Sequence, residues 1–136
     1  MEVNFYEIGE VDDALLKFAV IVARYRGKWI YCKHKNRDTW EIPGGHREEN
    51  EEIFYTAKRE LFEETGAKVF DIRPVCLYSV KETSESHGML FFAEVSELGD
   101  LPEMEIERIE LFSQPPENLT YPLIQPKLFN RIQDVI

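Results

Sequence analysis

Nine consecutive residues, Leu15 to Ala23 (LLKFAVIVA), are apolar at every position but Lys17 and carry three β-branched side chains in a row. A strand built from them has no wet face, so both of its faces must be covered. That demands a sheet with a layer on each side. Arg26-Gly27-Lys28 reads as a turn, and Trp29 to Lys33 (WIYCK) returns as a second strand, giving a hairpin. After the polar loop His34 to Thr39, the run Trp40-Glu41-Ile42-Pro43-Gly44-Gly45 demands a sharp backbone turn with dihedrals that glycine reaches cheaply. Asn50 reads as a helix cap with Glu51 and Glu52 in the first turn, and Thr65-Gly66 as a stop, which predicts a helix over Glu51 to Thr65. Val69 to Val80, broken by Pro74, and Met89 to Val95 read as strands joined across Lys81 to Gly88. Ile106 to Phe112 adds a short strand. The tail Leu123 to Val135 spaces Ile124, Leu128, Ile132 and Val135 for a helix packed on one side. Strands interrupted by one helix and closed by another predict an α/β/α sandwich with a mixed central sheet.

The 136 residues fit one domain over 1–136, and 43% hydrophobic residues with nine Phe, six Tyr and two Trp suffice for its core. The formal net charge is −10. A surface of that sign repels polyphosphates and nucleic acid, so an anionic ligand needs cations to mediate its binding. The nearest thing to a basic patch, the short run Lys33, His34, Lys35 and Arg37, is too small for a surface that tracks DNA or RNA, and no extended nucleic acid is expected as a partner. Cys32 and Cys76 lie in strands without metal-type spacing and are expected to be buried thiols. The first residues, MEVNFYEIGEVDD, lack the basic start and apolar stretch of a signal peptide, and no run approaches the ~18 apolar residues of a membrane span. The expected compartment is the cytosol, with no membrane partner.

Within the predicted central helix, Glu60, Glu63 and Glu64 stand at i, i+3 and i+4 and share one face. The plain reading of such a cluster is a solvated charged face. Helical periodicity argues against it for Glu64. With Ile53 at zero on the wheel, Ala57 falls at ~40°, Leu61 at ~80° and Glu64 at ~20°, inside the apolar stripe. A carboxylate buried there is unfavourable unless a cation or hydrogen bonds compensate, and clustered hard oxygen donors suit Mg²⁺ or Mn²⁺. Phe62 and Tyr55 fall on the far side, which predicts a helix covered on two faces.

The wider segment, GHREENEEIFYTAKRELFEETGA, has Gly45, five residues, Glu51, seven residues, Arg59-Glu60-Leu61, one residue, Glu63-Glu64, one residue and Gly66-Ala67. This spacing resembles the Nudix box throughout. Its seven fixed identities would meet by chance on the order of once in 10⁵ chains of this kind. The one departure is Ala67, where the family usually has a bulkier aliphatic residue. The resemblance implies hydrolysis of a nucleoside diphosphate linkage assisted by Mg²⁺, with Mn²⁺ as a substitute and without a covalent intermediate. Carried over by position, it implies Glu60 and Glu64 as metal ligands, Glu63 as a ligand or a partner through water, and Gly44 as a backbone carbonyl ligand. Glu51 and Arg59 would support them, Arg59 orienting the carboxylates through its planar fork. Many members add a Glu from a late loop as ligand or general base. Among Glu103, Glu105 and Glu107, the position directly before Ile106 and its apolar stretch selects Glu105.

Trp40, an aromatic beside a tight turn, is expected in the core rather than against a nucleobase. Lys33, Lys35 and Arg37 are either contacts for distal phosphates or solvated, and the sequence leaves both open. His34, His46 and His87 show no triad or zinc spacing, Ser79, Ser84 and Ser86 no nucleophile signature, and none receives a role. The first function expected is a nucleoside-triphosphate diphosphatase of the mutator-protein type, releasing a monophosphate and pyrophosphate, with oxidised purines such as 8-oxo-dGTP as candidates. The small size, the intact box and Pro116-Glu117-Asn118-Leu119, similar to bacterial members of that branch, motivate it. The second is another Nudix substrate: ADP-ribose, a dinucleoside polyphosphate or capped RNA. The third, a nucleotide-sensing module without turnover, is disfavoured because no glutamate of the box is missing.

Overall fold

A computed structural model describes residues 1–136. Its elements are β1 (Glu2–Tyr6), a 3₁₀ turn (Asp13–Leu15), β2 (Leu16–Tyr25), β3 (Lys28–His34), β4 (Gly44–His46), α1 (Ile53–Thr65), β5 (Ala67–Lys81), β6 (Glu85–Leu98), β7 (Ile106–Phe112) and α2 (Gln125–Gln133). The strands form one mixed sheet in the order β1-β5-β6-β2-β3-β7, with β4 also paired to β2. Only β2 and β6 run parallel; every other pairing is antiparallel.

The apolar run that opens the chain becomes β2, in the middle of the sheet. Alternate residues of β2 and β6 face opposite ways. Ile21 and Phe91 pack with Ile53, Ala57 and Leu61 of α1, whereas Val22 and Phe92 pack with Leu128, Phe129 and Ile132 of α2. One helix therefore covers each face, the α/β/α sandwich expected. No helix is long and apolar enough to cross a membrane.

The β2–β3 hairpin closes through Arg26 at φ 51° and Gly27 at φ 77°. Two positive φ values in a two-residue turn match the right-handed twist of the flanking strands. Several elements depart from the sequence reading: β6 begins at Glu85, inside the stretch read as a connection, and Gly44–His46 pairs as β4 where only a turn was expected. The helix begins at Ile53, two residues later than predicted, because Asn50 sits at φ 64° and does not cap. Glu51 stays outside the helix, its carboxylate accepting from the Glu48 backbone N–H at 3.0 Å and the Thr56 hydroxyl at 2.6 Å. The strand predicted to break at Pro74 is continuous, since the missing N–H falls where the β5–β6 register slips between Pro74 and Cys76. Glu2–Tyr6, read only for the lack of a leader, forms an edge strand beside β5.

The helix ends at Gly66, whose φ of 78° is the left-handed conformation that closes a helix. Phe62 and Tyr55 are 46% and 60% exposed. α1 is thus covered on one face only, not two, and the burial of Glu64 is a property of that one face.

Candidate active site

Strand β4 is short, but it fixes the site. Pairing Val20 with Gly44 and Ala19 with Gly45 lays the glycine backbone between β2 and α1. The Gly44 N–H then donates to Glu64 Oε1 at 3.0 Å. A Cβ on Gly45 would stand 2.6 Å from Glu60 Oε1, so the carboxylate lies directly on a backbone that only glycine leaves open.

Glu64 is 7% exposed and shares its helix face with Ala57 and Leu61. Burial pushes its carboxyl up to about 8; the Gly44 N–H opposes the shift, and the charges of Glu60, Glu41 and Glu105 add to it. No Lys or Arg pairs with it, and the imidazole of His34 lies nearby, with Nε2 3.9 Å from Oε2. Glu60 is also pushed up by burial, opposed by the Arg59 hydrogen bond.

Arg59 is the hub of the supporting groups. Nε donates to Glu51 Oε2 at 2.6 Å and Nη2 to Glu51 Oε1 at 3.0 Å. Nη1 reaches Glu60 at 2.8 Å and Glu63 at 3.2 Å, and Nη2 the His46 carbonyl at 3.1 Å. The hydrogen bonds that Glu51 accepts, chiefly from Arg59 and then from Thr56 and the Glu48 N–H, hold its carboxyl down at about 2 against its burial. Glu63 thus lies on the Arg59 side of the cluster. Glu105 stands with Glu64 and His34, one ligand atom of each within 4.8 Å of the others. Its loop is tethered by the Lys35 N–H, which donates to the Glu105 carbonyl at 3.0 Å. Glu103 and Glu107 are absent from that group, and Glu107 pairs with Lys33 at 3.3 Å.

Sequence reasoning passed over His34 and Glu41. His34 Nε2 meets Glu41 Oε1 at 2.7 Å, and Arg37 Nη1 donates to Glu41 Oε2 at 3.0 Å. The signal for His34 is the period of two: Cys32, two positions earlier on β3, donates from Sγ to the Glu64 carbonyl at 3.2 Å. Both cysteines are buried and unpaired.

A cleft of about 650 Å³ opens over these groups. Glu41, Glu60, Glu64 and Glu105 line it, together with apolar walls from Val20, Ile42, Tyr78 and Leu128. Arg37 is its only Lys or Arg. Lys33 is turned away into pairs with Glu107 and Asp38, and Lys35 does not line the cleft. Trp40 also stays outside it, packed edge-on against Phe112 at 5.3 Å and under Arg108.

Five carboxylates lining a cleft with one arginine, Glu48 at its edge besides the four above, fit a hard divalent cation such as Mg²⁺ or Mn²⁺, which takes oxygen donors and offsets their mutual repulsion. A pH dependence follows. In chelator, the folded state holds the Glu64 proton up to about 8, while the unfolded chain releases it near 4.5. The contribution is therefore fully present below pH 4.5 and lost as pH rises towards 8. The melting midpoint in EDTA is expected to fall across that interval, and Mg²⁺ to flatten the decline. A midpoint in EDTA that stays level or climbs would contradict the burial of an uncompensated carboxyl.

The sequence matches the NUDIX domain family over residues 15–131. A Bacillus subtilis (strain 168) protein named "Putative 8-oxo-dGTP diphosphatase YtkD" is 34% identical over 107 residues, which cover 76% of this chain and 66% of that protein. An 8-oxo-dGTP diphosphatase of Buchnera aphidicola subsp. Schizaphis graminum (strain Sg) is 53% identical over 36 residues, 26% of this chain and 28% of that protein. The chain thus aligns with less than two thirds of the length of either curated relative. A crystal structure of a mutant of the Bacillus subtilis pyrophosphohydrolase BsRppH superposes with a TM-score of 0.81 at 23% identity, covering 97% of this chain and 90% of that one. A NUDIX hydrolase from Nitrosomonas europaea superposes with a TM-score of 0.70 at 25% identity, over 87% of this chain and 70% of that one.

Proposed function

Because the chain belongs to the Nudix family, we propose that it is a divalent-metal-dependent pyrophosphohydrolase that cleaves a nucleoside triphosphate to the monophosphate and pyrophosphate, with oxidised purines such as 8-oxo-dGTP among its substrates. The observation that carries this reading is the Glu64 carboxyl. It is buried, surrounded by other carboxylates and unpaired with any Lys or Arg, an arrangement with no structural merit of its own. Such a group belongs to a site completed by a cation.

In this reading Glu60 and Glu64 hold the metal, with the Gly44 carbonyl and Glu63 as further donors. Bound divalent cations supply neutralisation of phosphate charge and acidify water. Arg59 holds Glu60 and Glu63 in orientation while Glu51 anchors Arg59. Glu105, tethered through its own carbonyl, takes the proton from the attacking water. Arg37, braced on Glu41, meets the charge of a distal phosphate. The net charge of −10 and the single arginine in the cleft favour a small nucleotide over a long RNA. The names of the two curated relatives support the same choice.

A nucleotide panel tests it: nucleoside triphosphates, 8-oxo-dGTP, ADP-ribose, a dinucleoside tetraphosphate and 5′-triphosphorylated RNA, each with Mg²⁺ and with EDTA. Monophosphate and pyrophosphate are expected from the triphosphates in Mg²⁺ alone. Turnover of none of these compounds would remove the enzyme reading.

A further inference from the structure

Gln125, the first residue of α2, is 7% exposed, and its side-chain oxygen accepts the Ile42 backbone N–H at 2.8 Å. That bond decides which way the carboxamide faces, since an N–H cannot donate to the amide nitrogen. The nitrogen has no protein partner, yet no polar side-chain atom is sealed off without one. Its two N–H groups therefore open into the cleft that the residue lines. A carboxamide more than nine-tenths buried, pinned at its oxygen and unpaired at its nitrogen, is a donor set in advance for a ligand.

Its position suits a nucleobase. The Gly44 N–H rests on Glu64 and the Ile42 N–H on Gln125. Two residues of chain separate these donors, at most ~7 Å, so the amide lies one short step along the same cleft from the carboxylates. Val20, Ile42, Val80 and Leu128 give that cleft apolar walls for the faces of a flat ring.

We propose that Gln125 is a specificity-determining residue that reads a carbonyl on the base, so that purines with a 6-keto group are preferred to those with a 6-amino group. The inference rests on the nucleotide reading above. With its oxygen committed to Ile42, Gln125 can only donate into the cleft. A 6-keto group accepts that bond. A 6-amino group sets donor against donor and leaves both unpaired where water is scarce. The hydroxyls of Ser86 and Tyr121, which also line the cleft, turn to donate or accept and do not discriminate.

Inosine and adenosine triphosphates isolate the effect, because they differ only at the keto or amino edge of the purine. Wild-type protein in Mg²⁺ is expected to favour inosine triphosphate in kcat/KM by about tenfold or more. Gln125→Glu keeps an acceptor for the Ile42 N–H but turns a second acceptor towards the base. At alkaline pH, where the new carboxyl is ionised, it should lower that ratio at least about tenfold. Gln125→Leu should lose turnover of inosine triphosphate with no gain for the adenosine compound. It orphans a buried N–H and is read only if its melting midpoint shows a folded protein. A wild-type ratio near one, an unchanged ratio in Gln125→Glu, or hydrolysis of other nucleotides but neither of these two overturns the role of Gln125 while the enzyme reading stands. Hydrolysis of no nucleotide at all removes both.

Discussion

Glu64→Gln lowers kcat/KM in Mg²⁺ by about two to three orders of magnitude, the scale on which losing one preorganised charge contact acts, yet raises the melting midpoint of the metal-free protein near pH 8. The two effects have one source. Glutamine keeps an oxygen to accept the Gly44 N–H and presents an amide to the neighbouring carboxylates, so the packing of α1 is preserved. What disappears is the negative charge, which the fold without metal tolerates poorly and the reaction requires. The fall in midpoint between pH 4.5 and 8 in chelator should shrink with it, as should the rise in midpoint on adding Mg²⁺. A variant that keeps a tenth of wild-type turnover, or melts lower than wild type in EDTA near pH 8, would contradict this account of Glu64.

Arg59→Ala is the change expected to harm the fold most. It strips the cation from the largely buried side chains of Glu51 and Glu60. Removing one partner of a buried ion pair leaves an uncompensated charge and costs about 3–5 kcal/mol. Arg59→Lys should fall between, because one ammonium cannot span Glu51, Glu60, Glu63 and the His46 carbonyl. The acid limb supplies a signature. With its carboxyl at about 2, Glu51 adds stability that is present above 4.5 and lost as pH falls towards 2. In Arg59→Ala that limb should flatten or reverse, and adding Glu51→Gln should restore part of the midpoint at neutral pH. Urea unfolding at pH 7 and pH 3 measures all of this. A neutral-pH stability for Arg59→Ala within 1 kcal/mol of wild type, roughly the worth of an exposed pair, would reduce the hub to a surface ion pair.

The helix wheel carried the reading of Glu64 a long way, since burial on a helix follows from spacing alone. It failed on the far side of α1, where Phe62 and Tyr55 looked like a second packed face and are exposed. Large apolar residues on a surface are ordinary, and periodicity cannot tell them from core. The cap at Asn50 was misread for a different reason: Glu51 is held by Arg59 and Thr56, a tertiary demand that overrides local capping preference. Pro74 shows the same limit, because a register slip can absorb a missing donor that a single strand cannot. The cleft was the least readable part. Gln125 meets Ile42 across 83 positions, and Glu41, in the loop before β4, takes its meaning from His34 at the end of β3. Arg37 and Lys33, equivalent as letters in one basic run, part company only when the fold turns one into the cleft and pairs the other with Glu107.

The central parallel pair sets when the site can exist during folding. Ile21 of β2 lies against Phe91 of β6, seventy positions later, and between them in the chain lie β4, α1 and every residue of the Nudix box. Local turns form early, but closing a loop of that length comes late and slowly, as for any topology dominated by distant contacts. A ribosome-bound chain released only as far as β5 would carry all the box glutamates and still lack the strand that completes the wall beneath α1. Metal affinity should therefore appear in a single late step, together with protection of the β2 and β6 amides from exchange, and not grow with the helix.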